Sequence, residues 1–76
     1  MQLGTRWSVG ATAPATLPSA VTAAIAEVEA EVASFDTSAW RWTLTWLEGR
    51  PVVELDDGTT IRYDPVSDAA TVSAAD

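Results

Sequence analysis

Cysteine, histidine, lysine and asparagine do not occur in this 76-residue chain. Without cysteine there is no disulfide and no thiolate metal site, a composition that suits a reducing compartment. Without histidine the commonest general base is missing, and no Ser-His-Asp or Cys-His arrangement can form. The serines, Ser8, Ser19, Ser34, Ser38, Ser67 and Ser73, have no lysine or histidine to activate them. Four glycines scattered through turn-like segments make no phosphate-binding loop. Long apolar runs are missing too, and none approaches the ~20 residues of a membrane-spanning helix. The first residues, Met1-Gln2-Leu3-Gly4-Thr5-Arg6, lack the basic-then-apolar order of a signal peptide. These absences lead us to expect a cytoplasmic protein with no membrane association, no cofactor and no metal, and not an enzyme.

Positive charge is scarce. All four basic residues are arginine (Arg6, Arg41, Arg50 and Arg62), set against eleven acids for a net charge of −7. That balance favours solubility and disfavours nonspecific contact with nucleic acid or an anionic membrane, so no direct nucleic-acid binding is expected. Few residues have AT-rich codons and alanine is abundant, which points to a high-GC genome. What the chain does have is apolar content: 47% of its residues are hydrophobic, enough for the core of one small domain.

Leu3, Thr5, Trp7 and Val9 alternate with Gly4, Arg6, Ser8 and Gly10, the period-two pattern of a first strand. Small residues around Pro14 then read as a loop. Pro18 suits the first turn of a helix, where its missing N–H costs nothing. Val21, Ile25, Val28, Val32 and Phe35 follow at spacings of four and three, the apolar stripe of an amphipathic helix. Glu27 and Glu31 are expected on its solvated side, with Glu29 between them in sequence, and Asp36-Thr37-Ser38 to end it.

The segment from Trp40 to Asp64 reads as a three-stranded antiparallel meander. A two-residue turn at Glu48-Gly49 pairs Leu47 with Arg50, Thr45 with Val52, Leu44 with Val53 and Trp42 with Leu55. At the second turn a two-residue loop scrambles the faces. A three-residue loop, Asp56-Asp57-Gly58 with Gly58 left-handed, pairs Val53 with Ile61 and Leu55 with Thr59 and keeps the faces pure. The expected fold is therefore α+β. It is a two-layer β-α-β-β-β domain over residues 1–65, with a four-stranded sheet and one amphipathic helix on its apolar face. The first two strands would be joined by a right-handed crossover if they lie parallel. Residues 66–76 are expected to be a flexible acidic tail rather than a fifth strand.

That register makes Trp42 and Trp46 core residues beneath the helix, with Trp7 and Trp40 nearer its rim. The other face carries Arg6, Arg41, Thr43, Thr45, Leu47, Arg50, Val52, Glu54, Thr60 and Arg62, and so every cation of the chain. Threonine and arginine are ordinary polar residues for an open sheet face. They also suit docking of a carboxylate-rich partner, with guanidinium forks for its acids and Leu47 for apolar contact. Asp56 and Asp57 read as a hairpin turn rather than a cation site, and Asp64 to Asp68 has too few oxygen ligands for a calcium loop.

The function expected from the sequence is a small non-enzymatic protein-interaction or regulatory module. Its candidate partner-binding residues are Arg6, Arg41, Thr43, Thr45, Leu47, Arg50, Glu54 and Arg62. A protein partner or a homodimer is expected, through the open face or an edge strand. One alternative is an acidic nucleic-acid mimic acting through the carboxylates of helix and tail. Another is a small ligand-binding or catalytic protein, which would need a pocket.

Overall fold

Alanine-rich sequence following Pro18 forms the helix, and alternating sequence on either side of it forms the sheet. The computed structural model describes residues 5–74. Its elements are β1 (Thr5–Ser8), α1 (Ser19–Glu31), β2 (Arg41–Leu47), β3 (Arg50–Leu55), β4 (Thr60–Asp64) and β5 (Ala69–Ser73). The sheet runs in the order β1-β2-β3-β4-β5 with every neighbouring pair antiparallel. It is an α+β fold with five strands, not the four expected. Among the described residues no helix is long and apolar enough to cross a membrane.

One feature of the topology settles a point left open and a second corrects the expectation. First, β1 lies antiparallel beside β2, with Trp7 opposite Trp42, so the helical connection is not a parallel crossover. Second, part of the supposed tail is strand: β5 pairs with β4 along its whole length, from Asp64–Ala69 to Thr60–Ser73. The turn between them is built from local polar bonds. The Asp64 carboxylate accepts the Val66 N–H (2.9 Å), Asp68 takes a left-handed φ of 51°, and the Tyr63 hydroxyl donates to Asp68 Oδ1. Residues 75 and 76 of that segment, and Leu3 and Gly4 of the expected first strand, lie outside the described residues.

Both hairpin registers are as expected. Leu47 faces Arg50 across a turn in which Glu48 and Gly49 both have positive φ (53° and 78°), the type I′ geometry that matches strand twist. Val53 faces Ile61, and the Leu55 N–H bonds the Thr59 carbonyl at 2.8 Å across Asp56-Asp57-Gly58. Gly58 supplies the left-handed residue of that loop, at a φ of 98°.

The core lies between α1 and the inner face of the sheet. Val21, Ile25 and Val28 meet Trp42, Leu44, Val53, Leu55 and Ile61, all of them buried. Trp7 is also a core residue, 9% exposed rather than at the rim, because it stacks on Trp42 with ring centroids 6.5 Å apart. The helix stops earlier than its stripe. Pro18 is its N-cap rather than its first residue, Val32 its C-cap, and Phe35 lies in the turns that follow, edge-on to Trp40. Trp46 departs most from expectation. It has the same parity as Trp42 on β2, yet is 48% exposed. Trp46 lies beside the β2–β3 turn, opposite Pro51, and is not part of the buried cluster.

Candidate interaction surface on the outer sheet face

Strand parity assembles the opposite face of the sheet residue by residue. Ladder partners share a face, which places Arg6, Thr43, Glu54, Thr60 and Ser73 in one row across all five strands. A second row runs Thr45, Val52, Arg62, Thr71, and beyond it lie Leu47 and Arg50. Ser8 faces Arg41 at the other end. Every expected site residue (Arg6, Arg41, Thr43, Thr45, Leu47, Arg50, Glu54 and Arg62) therefore lies on this one face.

They do not form one site. At the Arg41 end the polar groups hold one another. Asp56 accepts the Arg41 N–H at 3.0 Å and lies 3.6 Å from the Arg6 guanidinium. The Arg41 guanidinium turns back to the carbonyls of Trp40 (3.2 Å) and Ser38 (3.5 Å). These contacts close the end of the sheet, and the exposed Arg6–Asp56 pair contributes no more than ~1 kcal/mol.

At the hairpin end the arginines are uncommitted. Among the described residues no carboxylate lies within ion-pair distance of Arg50 or Arg62. Between them is an open depression of about 350 Å³, lined by Leu47, Glu48, Arg50, Pro51, Val52, Arg62, Tyr63, Asp64 and Thr71. Leu47 is 56% exposed beside the two guanidiniums. The lining thus sets two planar cationic forks beside two carboxylates and the apolar Leu47, Pro51 and Val52.

The Tyr63 phenol is pushed above its ordinary pKa by its hydrogen bond to the Asp68 carboxylate, then by burial and the charge of Asp68 and Asp64. A phenol held in its protonated form is a poor base. Elsewhere, the Ser38 hydroxyl and N–H donate to Asp36 and hold its carboxyl below the usual range, a turn contact far from the depression in sequence. Among the described residues no group of three or more acids is arranged to hold a metal ion.

Several carboxylates have structural tasks that the sequence pattern left open. Glu29 reaches the core rim. Its Oε2 accepts Trp42 Nε1–H at 2.9 Å and the Gly10 N–H at 3.1 Å. An acidic mimic relying on Glu27, Glu29 and Glu31 would have to forgo that carboxylate. Asp57 accepts the Thr59 N–H at 2.8 Å within its own turn. Thr71 is missing from the expected site because it lies on β5, and Asp64, the last residue of β4, because the Asp64-Pro65 pair reads only as a strand stop. The alternation of Ala70 and Val72 was the one signal that pointed to β5.

No family model, curated protein or solved structure matches this chain.

Proposed function

We propose that this protein is a small, non-enzymatic interaction module that receives an acidic segment of a partner protein on the hairpin end of its outer sheet face. The observation that carries this reading is the pair of guanidiniums, Arg50 and Arg62, that have no carboxylate partner among the described residues, beside exposed Leu47 in a chain of net charge −7. A protein so short of cations has all of them on one surface. Bidentate guanidinium–carboxylate bonds supply orientation, and Leu47 with Val52 supplies the apolar contact that a purely ionic patch lacks. The depression is open to solvent rather than enclosed, which favours a docking groove over an active site. Arg6 and Arg41 serve the fold at the other end of the sheet.

The test is a titration of isotope-labelled protein with a peptide of alternating glutamate and leucine, followed by amide chemical shifts. Saturable shifts at Leu47, Arg50, Val52, Arg62 and Thr71 are expected. Arg50→Glu combined with Arg62→Glu should weaken binding by about tenfold or more, equivalent to ~1.4 kcal/mol. Arg6→Glu should leave it nearly unchanged. Shifts confined to the helix, or binding indifferent to the double reversal, would exclude this surface.

A further inference from the structure

The five-stranded sheet has two edges, and they are unlike. β1 carries Arg6 in its ion pair with Asp56 and is followed by a glycine turn at Gly10. A charged side chain is a usual protection of a free edge. β5 lacks it. Its sequence, Ala69-Ala70-Thr71-Val72-Ser73, is uncharged, contains no proline, and pairs with β4 in an unbroken register with no bulge. Its outer side presents free backbone N–H and C=O groups with no strand beside them among the described residues.

We propose that β5 pairs antiparallel with β5 of a second copy of this chain, joining two sheets across a two-fold axis at Thr71. The side chains select this partner and this register. With Thr71 opposite Thr71, Ala70 faces Val72 of the other copy and Ala69 faces Ser73. Val72 is 44% exposed on the inner face, and the pairing sets it against an alanine on the same face. Thr71 meets its equivalent on the outer face, a favourable cross-strand pair. Each face of the sheet thus continues into the same face of its partner.

Other registers are worse. A slip of one residue in the pairing sets inner side chains opposite outer ones. A slip of two in one direction sets the Asp68 carboxylate, which holds the Tyr63 hydroxyl, against Val72. A slip of two in the other direction sets Ala69 opposite residue 75, beyond β5 (Ala69–Ser73), and so shortens the pairing within the strand. With the axis at Thr71, Asp68 lies opposite Ala74 and the ladder holds no like-charge pair. The contact is isologous and therefore closes, while the protected β1 edges face outward and stop further growth. The two outer faces then lie on one side of a continuous sheet, so a partner with two acidic segments could engage both copies. The pairing itself does not depend on the outer face binding anything.

The experiment is the mass of the full chain in solution by sedimentation or light scattering, from micromolar to near-millimolar concentration, at low and high salt. A dimer is expected. Its dissociation constant should fall as salt screens the repulsion between two chains of charge −7. Thr71→Glu should weaken dimerisation by about tenfold or more, because two carboxylates meet at the axis. Within each chain that glutamate lies opposite Arg62, so the fold is retained, which circular dichroism checks. The absence of native cysteine permits a second test. Directly opposed antiparallel residues have Cα atoms about 4.5–5.5 Å apart, within disulfide reach. The T71C variant should therefore oxidise rapidly to a covalent dimer, and the S8C variant, on the other edge, should not. A monomer under every condition, a T71E variant as dimeric as the parent, or S8C cross-linking as readily as T71C would each overturn the proposal.

Discussion

Trp42 and Trp46 stand four residues apart on the same face of the same strand, and only one of them is in the core. Trp42 is fully buried: Trp7 stacks on its ring, the helix layer covers it, and Glu29 takes its indole N–H. Trp46 stands near the tip of the β2–β3 hairpin, half exposed, opposite Pro51. The outer face of the same strands divides at the same place. Toward Trp42, Arg6 and Arg41 are tied into the sheet end, whereas toward Trp46, Arg50 and Arg62 have no ion-pair partner among the described residues. Strand parity decides which face a side chain takes. How deep it lies depends on what packs against it: Trp42 has Trp7 and Glu29 on its ring, and Trp46, beside the turn, lies outside the buried cluster.

The sharpest way to break this comparison is to truncate each ring. Trp42→Ala should cost roughly 3–5 kcal/mol, because it leaves a cavity beneath the helix and removes the donor that Glu29 accepts. In a domain this small that loss approaches the whole stability, and denaturant unfolding would register it. Removing the acceptor instead isolates the polar part of the seal. Glu29→Ala orphans the Trp42 indole N–H and the Gly10 N–H, and should cost about 1–3 kcal/mol in the same assay. Glu29→Gln should recover part of that loss.

Trp46→Ala is the counterpart at the open end and should cost less than about 1 kcal/mol. If it destabilises as much as Trp42→Ala, the hairpin tip is covered and the division fails. The smallest expected effect concerns Tyr63, the one tyrosine of the chain. Its hydrogen bond to Asp68 raises its pKa above the ordinary 10.0, so the folded state keeps its proton longer than the unfolded chain. The associated stability is fully present below pH 10 and is lost as pH rises through the raised value. Tyrosinate absorbance should show a midpoint above 10, which returns to the ordinary value in Asp68→Ala.

Much of the fold was legible because turns and side-chain alternation constrain each other. In the β2–β3–β4 meander, a wrong loop length at Asp56-Asp57-Gly58 would have put Ile61 opposite Glu54, and that conflict alone selects the observed pairing. The placing of all four arginines on one face follows from the same logic. β5 was less visible because Ala69, Ala70 and Ser73 are small. Side chains of that size give weak hydrophobic contrast, so the alternation of Ala70 and Val72 carries little signal. Trp7 and Trp46 were misplaced for a different reason. Burial depends on which elements lie above a residue, and neither the antiparallel docking of β1 nor the path of α1 is written into local periodicity. Glu29 shows the same limit: its spacing on the helix places it beside other glutamates, and its indole partner lies thirteen residues away.

The claim that one strand has a sealed end and an open end can be tested at the four indole N–H groups of the intact protein. Each gives its own signal in a nitrogen–proton correlation spectrum, and hydrogen exchange reports its access to water. The Trp42 indole should exchange only on global opening, and the Trp46 indole faster by orders of magnitude. Equal rates at the two would contradict the division of β2, and with it the structural ground for placing the interaction surface at the hairpin end.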